Sequence, residues 1–207
     1  MDRRAFILSG AALAIATPAH GAPLDDALGE IAKARSKLTT LQGPFVQERT
    51  IALLASKVKS TGKLWMVRPD RLRWELDPPD AATYWVLPDG LAYKTKSGKG
   101  KVSKGAQGPL GGVLSDLLIL LGGDLAELKG RYELSLIKRD AKSMVVHAVP
   151  KDKAVAKSTK RIELSLSADP AVLEKVVLVE AGDDRSEITF GALTRNAAVD
   201  PTLVSGP

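Results

Sequence analysis

The sequence predicts an α+β fold built on one strongly curved antiparallel sheet, and three patterns support that class. Five β-type runs follow one another after residue 131, separated by short polar turns. The segment 62–76 alternates apolar and polar residues on both sides of a turn, as a half-buried hairpin does. Two helical segments with apolar faces, 23–41 and 111–128, need a surface to cover them. Helices packed in the concavity of such a meander indicate an incomplete barrel.

The individual elements are predicted in chain order from periodicity and turn residues. Apolar residues over 23–41, including Leu38 and Leu41, recur at three- and four-residue steps, and Gly43-Pro44 should end this helix. Strands are then expected at 45–51, in the two halves of 62–76, and at 83–87, 91–94, 132–137, 143–149, 161–166, 173–179 and 186–190, with a short helix at 124–128.

Residues 1–21 have the composition of an export signal that is removed from the mature protein. Two adjacent arginines precede an apolar run over 6–15, which is too short to span a bilayer as a helix. Ala19 and Gly21 give the small-x-small pattern that favours cleavage after Gly21. The paired arginines also resemble a twin-arginine signal, which leaves the export route open. A single domain is expected over residues 22–207.

The composition excludes several classes of function. The chain has no cysteine, which excludes disulfides, thiolate catalysis and thiolate metal sites. Once the signal is removed, His147 is the one remaining histidine, which is too few for a histidine metal cluster. No phosphate-binding glycine loop occurs at a strand-to-helix junction. We therefore expect neither an enzyme nor a protein that holds a metal or cofactor.

The formal net charge of +6 suits an acidic partner or an anionic surface. Nucleic acid is not an expected partner, because the lysines are not interleaved with the aromatic residues that a stacking surface requires. Five lysines fall in a predicted glycine-rich loop, which is either a solvated segment or a docking surface. They are Lys94, Lys96, Lys99, Lys101 and Lys104.

The hairpin at 62–76 contains one charge that does not fit its pattern. Its inward face consists of Leu64, Met66, Leu72, Trp74 and Leu76. Arg68 has the same parity, although an unpaired guanidinium in an apolar interior is costly. Two explanations stay open. Arg68 is a structural lock or ligand contact, or it turns to water because Pro69 breaks the strand.

The helix within 111–128 is apolar on nearly all sides. Leu114, Leu117, Leu118 and Leu121 contribute to this surface, and glycines flank the helix at both ends. A helix of this kind is either a central core helix or lies beside an apolar partner that is not protein. The flanking glycines favour a movable element.

Three motifs occur in a fixed order along the chain. Phe45-Val46-Gln47 gives F-x-Q, residues 62–74 give G-x-L-W-x-x-R-P-x-x-x-x-W, and Pro88-Asp89-Gly90 gives a D-G turn. In this order they resemble the LolA family, the periplasmic carriers of outer-membrane lipoproteins in Gram-negative bacteria. The resemblance covers most of the mature chain.

The resemblance implies an unclosed β-barrel with a helical lid, the segment 111–128, over an apolar cavity that accepts acyl chains. Arg68 matches the family arginine that hydrogen-bonds the lid backbone in the closed state and releases it on loading. Leu72 and Trp74 match positions of the cavity wall. Further cavity contacts are expected from Phe45, Leu64, Met66, Leu114, Leu117, Leu118 and Leu121.

The implied partners are acylated lipoproteins, an inner-membrane ABC transporter that releases them, and an outer-membrane receptor. The protein itself is expected to be a periplasmic monomer. Two alternatives stay open: a related carrier or binder of another lipid or amphiphile, and a sensor or scaffold domain that uses the same half-barrel to bind protein.

Overall fold

The structure is a computed structural model that describes residues 22–52, 56–104 and 116–207. The predicted export signal, 1–21, lies outside these ranges. The helices are α1 (Ala22–Arg35), α2 (helical residues 116–122) and α3 (Lys153–Ala156), with 3-10 helices at Leu125–Gly130 and Pro201–Val204. The strands are β1 (Thr40–Ile51), β2 (Ser56–Val67), β3 (Arg71–Leu76), β4 (Thr83–Leu87), β5 (Gly90–Thr95), β6 (Gly98–Ser103), β7 (Tyr132–Arg139), β8 (Ser143–Pro150), β9 (Thr159–Ser167), β10 (Leu173–Glu180), β11 (Arg185–Phe190) and β12 (Thr194–Arg195).

The strands form one antiparallel sheet made of two meanders. Its order is β6-β5-β4-β3-β2-β1-β11-β10-β9-β8-β7, and the short β12 also pairs with β1. The meanders meet where β1 lies antiparallel to β11, with Phe45 opposite Phe190. Among the described strands β6 and β7 do not pair with each other, so the curved sheet stays unclosed. The predicted fold class is confirmed, and all five strands expected after residue 131 are present.

The end of α1 differs from the prediction. The helix ends at Arg35 rather than at residue 41, and Gly43-Pro44 lies inside β1, opposite Leu64 and Lys63. The prediction was wrong here because Leu38 and Leu41 fit a helical stripe while belonging to a turn and a strand. Both are buried in the same core, so the helical period continues by coincidence.

The predicted lysine-rich loop is also corrected over its first part. Lys99 and Lys101 lie in β6, which forms a hairpin with β5 at the end of the sheet. Lys94 lies in β5, in agreement with the strand predicted at 91–94. Glycine and lysine have low strand propensity, but backbone pairing with β5 outweighs that preference at this edge. Lysines on an edge strand also discourage pairing with other chains. The predicted loop extends to residue 110, and residues 105–110 lie outside the described ranges.

The main core fills the concave side of the sheet. One cluster joins Ile31 of α1, Leu117 and Leu121 of α2 and Leu125 of the 3-10 helix to inward residues of both meanders. A second, smaller cluster of Trp85, Leu87 and Ala92 lies on the outer face. The C-terminal segment covers it, where the Trp85 indole donates to the carbonyl of Leu203 at 2.9 Å. In the described part of the chain, no helix has the length and apolar character needed to cross a membrane.

Candidate functional site

A cavity of about 400 Å³ lies between α2 and the concave face of the sheet. Its apolar lining consists of Trp74, Leu76, Tyr84, Leu117, Leu120, Ile162, Val176, Leu178 and Ile188, and its polar lining of Gln47, Arg49, Asp116, Ser158, Thr159, Glu180 and Ser186. Arg49 is exposed and pairs with Glu180 at 3.2 Å, so the cavity reaches solvent beside these two residues. A mainly apolar wall with a polar rim suits a ligand that has an apolar body and a polar end.

Two of the predicted cavity residues line this space. Trp74 comes from β3 and Leu117 from α2. The structure places Phe45, Leu64, Met66, Leu72 and Leu121 in the packed core instead, each at most 1% exposed. Leu118 is half-buried against that core, and Leu114 lies outside the described residues.

Most of the second meander's contribution to the cavity was not predicted from the sequence. Ile162, Val176, Leu178 and Ile188 form the wall opposite Trp74. Each has the inward parity of its strand, so the period-two pattern could have identified them as candidates. Which inward residues remain uncovered depends on where α1 and α2 pack, and that is a property of the tertiary structure.

Trp74 holds its position in the cavity wall through aromatic contacts. Its ring stacks on Phe45 at a centroid distance of 3.7 Å and meets the edge of Phe190 at 6.4 Å. Gly62 makes room for this stack, because a Cβ there would lie 2.5 Å from Cζ of Phe45 and 2.1 Å from the carbonyl oxygen of Glu75. Gly62 and Trp74, the first and last residues of the motif at 62–74, therefore contribute to the same packing arrangement.

Arg68 points toward the end of α1. Its Nη1 donates to the carbonyl of Arg35 at 2.8 Å and to that of Leu38 at 3.2 Å. The explanation in which Arg68 simply turns to water is therefore wrong. In the described ranges its hydrogen bonds go to these two carbonyls and not to α2, which differs from the lid contact that the resemblance implies.

Arg35, which was not singled out from the sequence, contacts the backbone of α2. It is 1% exposed, and its Nη1 donates to the carbonyls of Ile119 at 3.4 Å and Gly123 at 3.2 Å. Burial lowers the pKa of Arg35 to about 10, with the nearby Arg68 charge acting in the same direction and Asp124 opposing them. Arg35 lies four residues after Ile31 and therefore on the apolar face of the helix. A charged residue on that face could have marked Arg35 as a candidate from the sequence alone.

Asp116 forms a second polar contact of α2, at the cavity wall. Its Oδ2 accepts a hydrogen bond from the Tyr132 hydroxyl at 2.5 Å, and its Oδ1 pairs with Nη2 of Arg131 at 2.5 Å. Burial raises the pKa of Asp116, although both partners act in the opposite direction. Burial, followed by the bond to Asp116, also raises the pKa of Tyr132. These two contacts of Asp116 hold α2 against the start of β7.

The described residues hold no cluster of three or more histidine, cysteine, aspartate or glutamate side chains that could bind a metal ion. The lining of the cavity suits burial of an apolar ligand with polar contacts at the rim.

Comparison with known families identifies the chain. The sequence model of a family described as "Outer membrane lipoprotein carrier protein LolA" matches residues 36–84 and 112–204. Since these segments cover more than half of the chain, the protein belongs to the LolA family. An outer-membrane lipoprotein carrier protein of Alkalilimnicola ehrlichii is 29% identical over 113 residues, which are 51% of this chain and 48% of that protein. The match therefore spans about half the length of this relative.

Solved structures of MucB share the fold. One has a TM-score of 0.52 at 19% identity and covers 90% of this chain and 64% of its own. The complex of MucA and MucB from Pseudomonas aeruginosa has a TM-score of 0.51 at 20% identity, with 89% and 61% covered. At these identities the similarity is one of fold.

Proposed function

We propose that this member of the LolA family is a periplasmic carrier that binds the acyl chains of lipoproteins and moves them from the inner to the outer membrane. The observation that carries the proposal is the apolar cavity between α2 and the sheet, with its polar rim at Arg49 and Glu180. Acyl chains would lie against Trp74 and Leu120, while the peptide part of the cargo would leave past the rim.

The energetics of burial suit a carrier that must also release its cargo. Each buried methylene contributes about 0.8 kcal/mol, so several acyl chains would give tens of kcal/mol before any cost. Part of that gain is offset because Leu117 and Leu120 of α2 already fill one side of the cavity and must be displaced. Competition between cargo and α2 weakens net binding and allows transfer to a receptor.

The proposal includes a lipoprotein-releasing ABC transporter as donor and an outer-membrane receptor as acceptor, with the carrier acting as a monomer. Within it, Arg68 retains a part in holding the closed state. It does so by holding the backbone at the end of α1, the helix that shares a core with α2. We expect the Arg68→Leu variant to load cargo and to transfer it more slowly than the wild type, and equal transfer rates would remove Arg68 from the proposal.

A second candidate function uses the same fold to bind protein. MucB has been solved in complex with MucA, and this chain shares its architecture. In that case the cavity would stay closed to acyl chains, and the exposed surface of the protein would bind the partner. A carrier of another lipid or amphiphile is the third candidate, and it differs from the first in cargo alone.

A cavity-filling variant tests acyl binding directly. Ile188 is half-buried at the cavity wall, so Ile188→Trp places an indole in the space that an acyl chain needs. We expect titration with a pyrene-labelled fatty acid to show binding to the wild type and at least about tenfold weaker binding to this variant, since about 1.4 kcal/mol corresponds to that factor. Ile137→Trp is the matched control, because Ile137 is 55% exposed on β7. No binding to the wild type would favour the second candidate.

A further inference from the structure

One buried cation takes part in the contact between α1 and α2. Arg35 stands in the last turn of α1, and its Nη1 reaches the carbonyls of Ile119 and Gly123 at the end of α2. At 3.4 and 3.2 Å both bonds are long for a charge-assisted hydrogen bond, which is normally 2.7–2.9 Å. The attraction between the two helices at this point is therefore weak.

The same cation is poorly compensated. Among the described residues, Nε and Nη2 of Arg35 have no hydrogen-bond partner, although both atoms are buried. The guanidinium of Arg68 lies close enough to act on Arg35 as a like charge, and Asp124 opposes it only in part. A buried charge with unsatisfied donors and a like-charged neighbour destabilises the arrangement that buries it.

The carbonyls on α2 depend little on Arg35. The carbonyl of Ile119 also accepts a bond from the amide of Gly123 at 3.0 Å, as a helix end commonly does. Loss of the guanidinium would therefore leave one carbonyl, that of Gly123, without its donor. Two long hydrogen bonds therefore offset little of the cost of burying the Arg35 guanidinium.

We propose that Arg35 is a positioning residue that biases α2 away from its closed place over the cavity. The inference rests on the proposed function in one respect: α2 must be the element that moves when cargo enters. Arg68 holds the backbone of Arg35 and Leu38 in place, so the strain falls on α2 rather than on α1. When α2 moves outward, water reaches the Arg35 guanidinium and satisfies its donors.

Hydrogen exchange of the ligand-free protein tests this proposal. We expect the amides of 116–123 to exchange about tenfold more slowly in Arg35→Met than in the wild type, because replacement of a buried ion by an apolar side chain of similar volume favours the packed state. Arg35→Lys keeps the charge and should exchange within about twofold of the wild type. Lys33→Met is the matched control, since Lys33 is an exposed cation in the same last turn.

The opposite result would show that Arg35 holds α2 closed. Faster or unchanged exchange in Arg35→Met, or failure of that variant to fold, would overturn the proposal, because removing a cost cannot unfold the protein. Exchange in 116–123 is measured without cargo. If the wild type fails to bind the acyl probe while Arg35→Met still slows exchange, the carrier function fails and the role of Arg35 stands.

Discussion

At the scale of single residues, two arginines share one region with different tasks. Arg68 donates hydrogen bonds to the backbone at the end of α1, whereas the Arg35 guanidinium donates to the backbone at the end of α2. Sequence parity was enough to mark Arg68 as misplaced. It could not show that Arg35 would stand beside it, because that proximity depends on where the end of α1 lies in the tertiary structure.

The closeness of the two cations predicts a measurable coupling. Arg68→Met removes two hydrogen bonds to carbonyls but also relieves its repulsion with Arg35. We therefore expect Arg68→Met to lower the free energy of unfolding more in an Arg35→Met background than in the wild type, by about 1 kcal/mol. A double-mutant cycle in urea measures this difference. Equal costs in both backgrounds would mean that the two charges do not interact.

Asp116 predicts a specific pH dependence. Its folded pKa is raised above the ordinary value of 3.8, so the folded protein binds a proton more tightly than the unfolded chain. The contribution of Asp116 to the free energy of unfolding therefore grows as the pH falls through its folded pKa. The contribution is complete below the pKa that Asp116 has in the unfolded chain. As the pH is lowered from 7.5 to 4.5, the free energy of unfolding of the wild type should rise relative to that of Asp116→Asn. Urea unfolding at each pH measures this difference. A parallel pH dependence in both proteins would contradict the burial-driven shift.

At the scale of elements, the inner strands of the sheet were predicted better than the end of α1 or the edge strand β6. The strands β8 to β11 were found within about two residues, since each alternates clearly between inward and outward residues. The end of α1 was missed because Leu38 and Leu41 satisfy both periods, and β6 was missed because its strand character comes from pairing with β5. Such pairing depends on tertiary contacts that composition does not encode.

The β2–β3 hairpin provides a test of the packing under Trp74. Gly62→Ala would place a methyl against Phe45 and the carbonyl of Glu75, so we expect a loss of about 3 kcal/mol in the free energy of unfolding. Gly29→Ala is the control, because nothing lies within 4 Å of a Cβ at that helical site and alanine is the better helix former. An equal effect of the two substitutions would contradict the close approach at Gly62.

At the scale of the whole molecule, the sheet separates an inside from an outside. Trp74 lines the cavity, whereas Trp65 and Trp85 lie on the outer face, where both stack on the guanidinium of Arg73 at 5.3 Å. The cavity itself needs both meanders, because Trp74 belongs to one and Ile162 to the other. The central motif lies in one meander, so it could predict half of the cavity wall and not the other half.

This separation predicts which tryptophan senses the cargo. A brominated fatty acid should quench the fluorescence of the wild type, and Trp74→Phe should abolish most of that quenching because bromine acts over short distances. Trp65→Phe and Trp85→Phe should leave it largely intact, since these residues lie across the sheet from the cavity. Quenching that survives in Trp74→Phe would place the acyl chain outside the cavity.

The most direct test of the carrier function is native mass spectrometry of the protein purified from the periplasm of its own host. The account predicts a complex with triacylated lipoproteins, and Ile188→Trp should reduce its abundance strongly. Recovery of free lipids alone would contradict a lipoprotein cargo, and recovery of no amphiphile at all would contradict the carrier function itself.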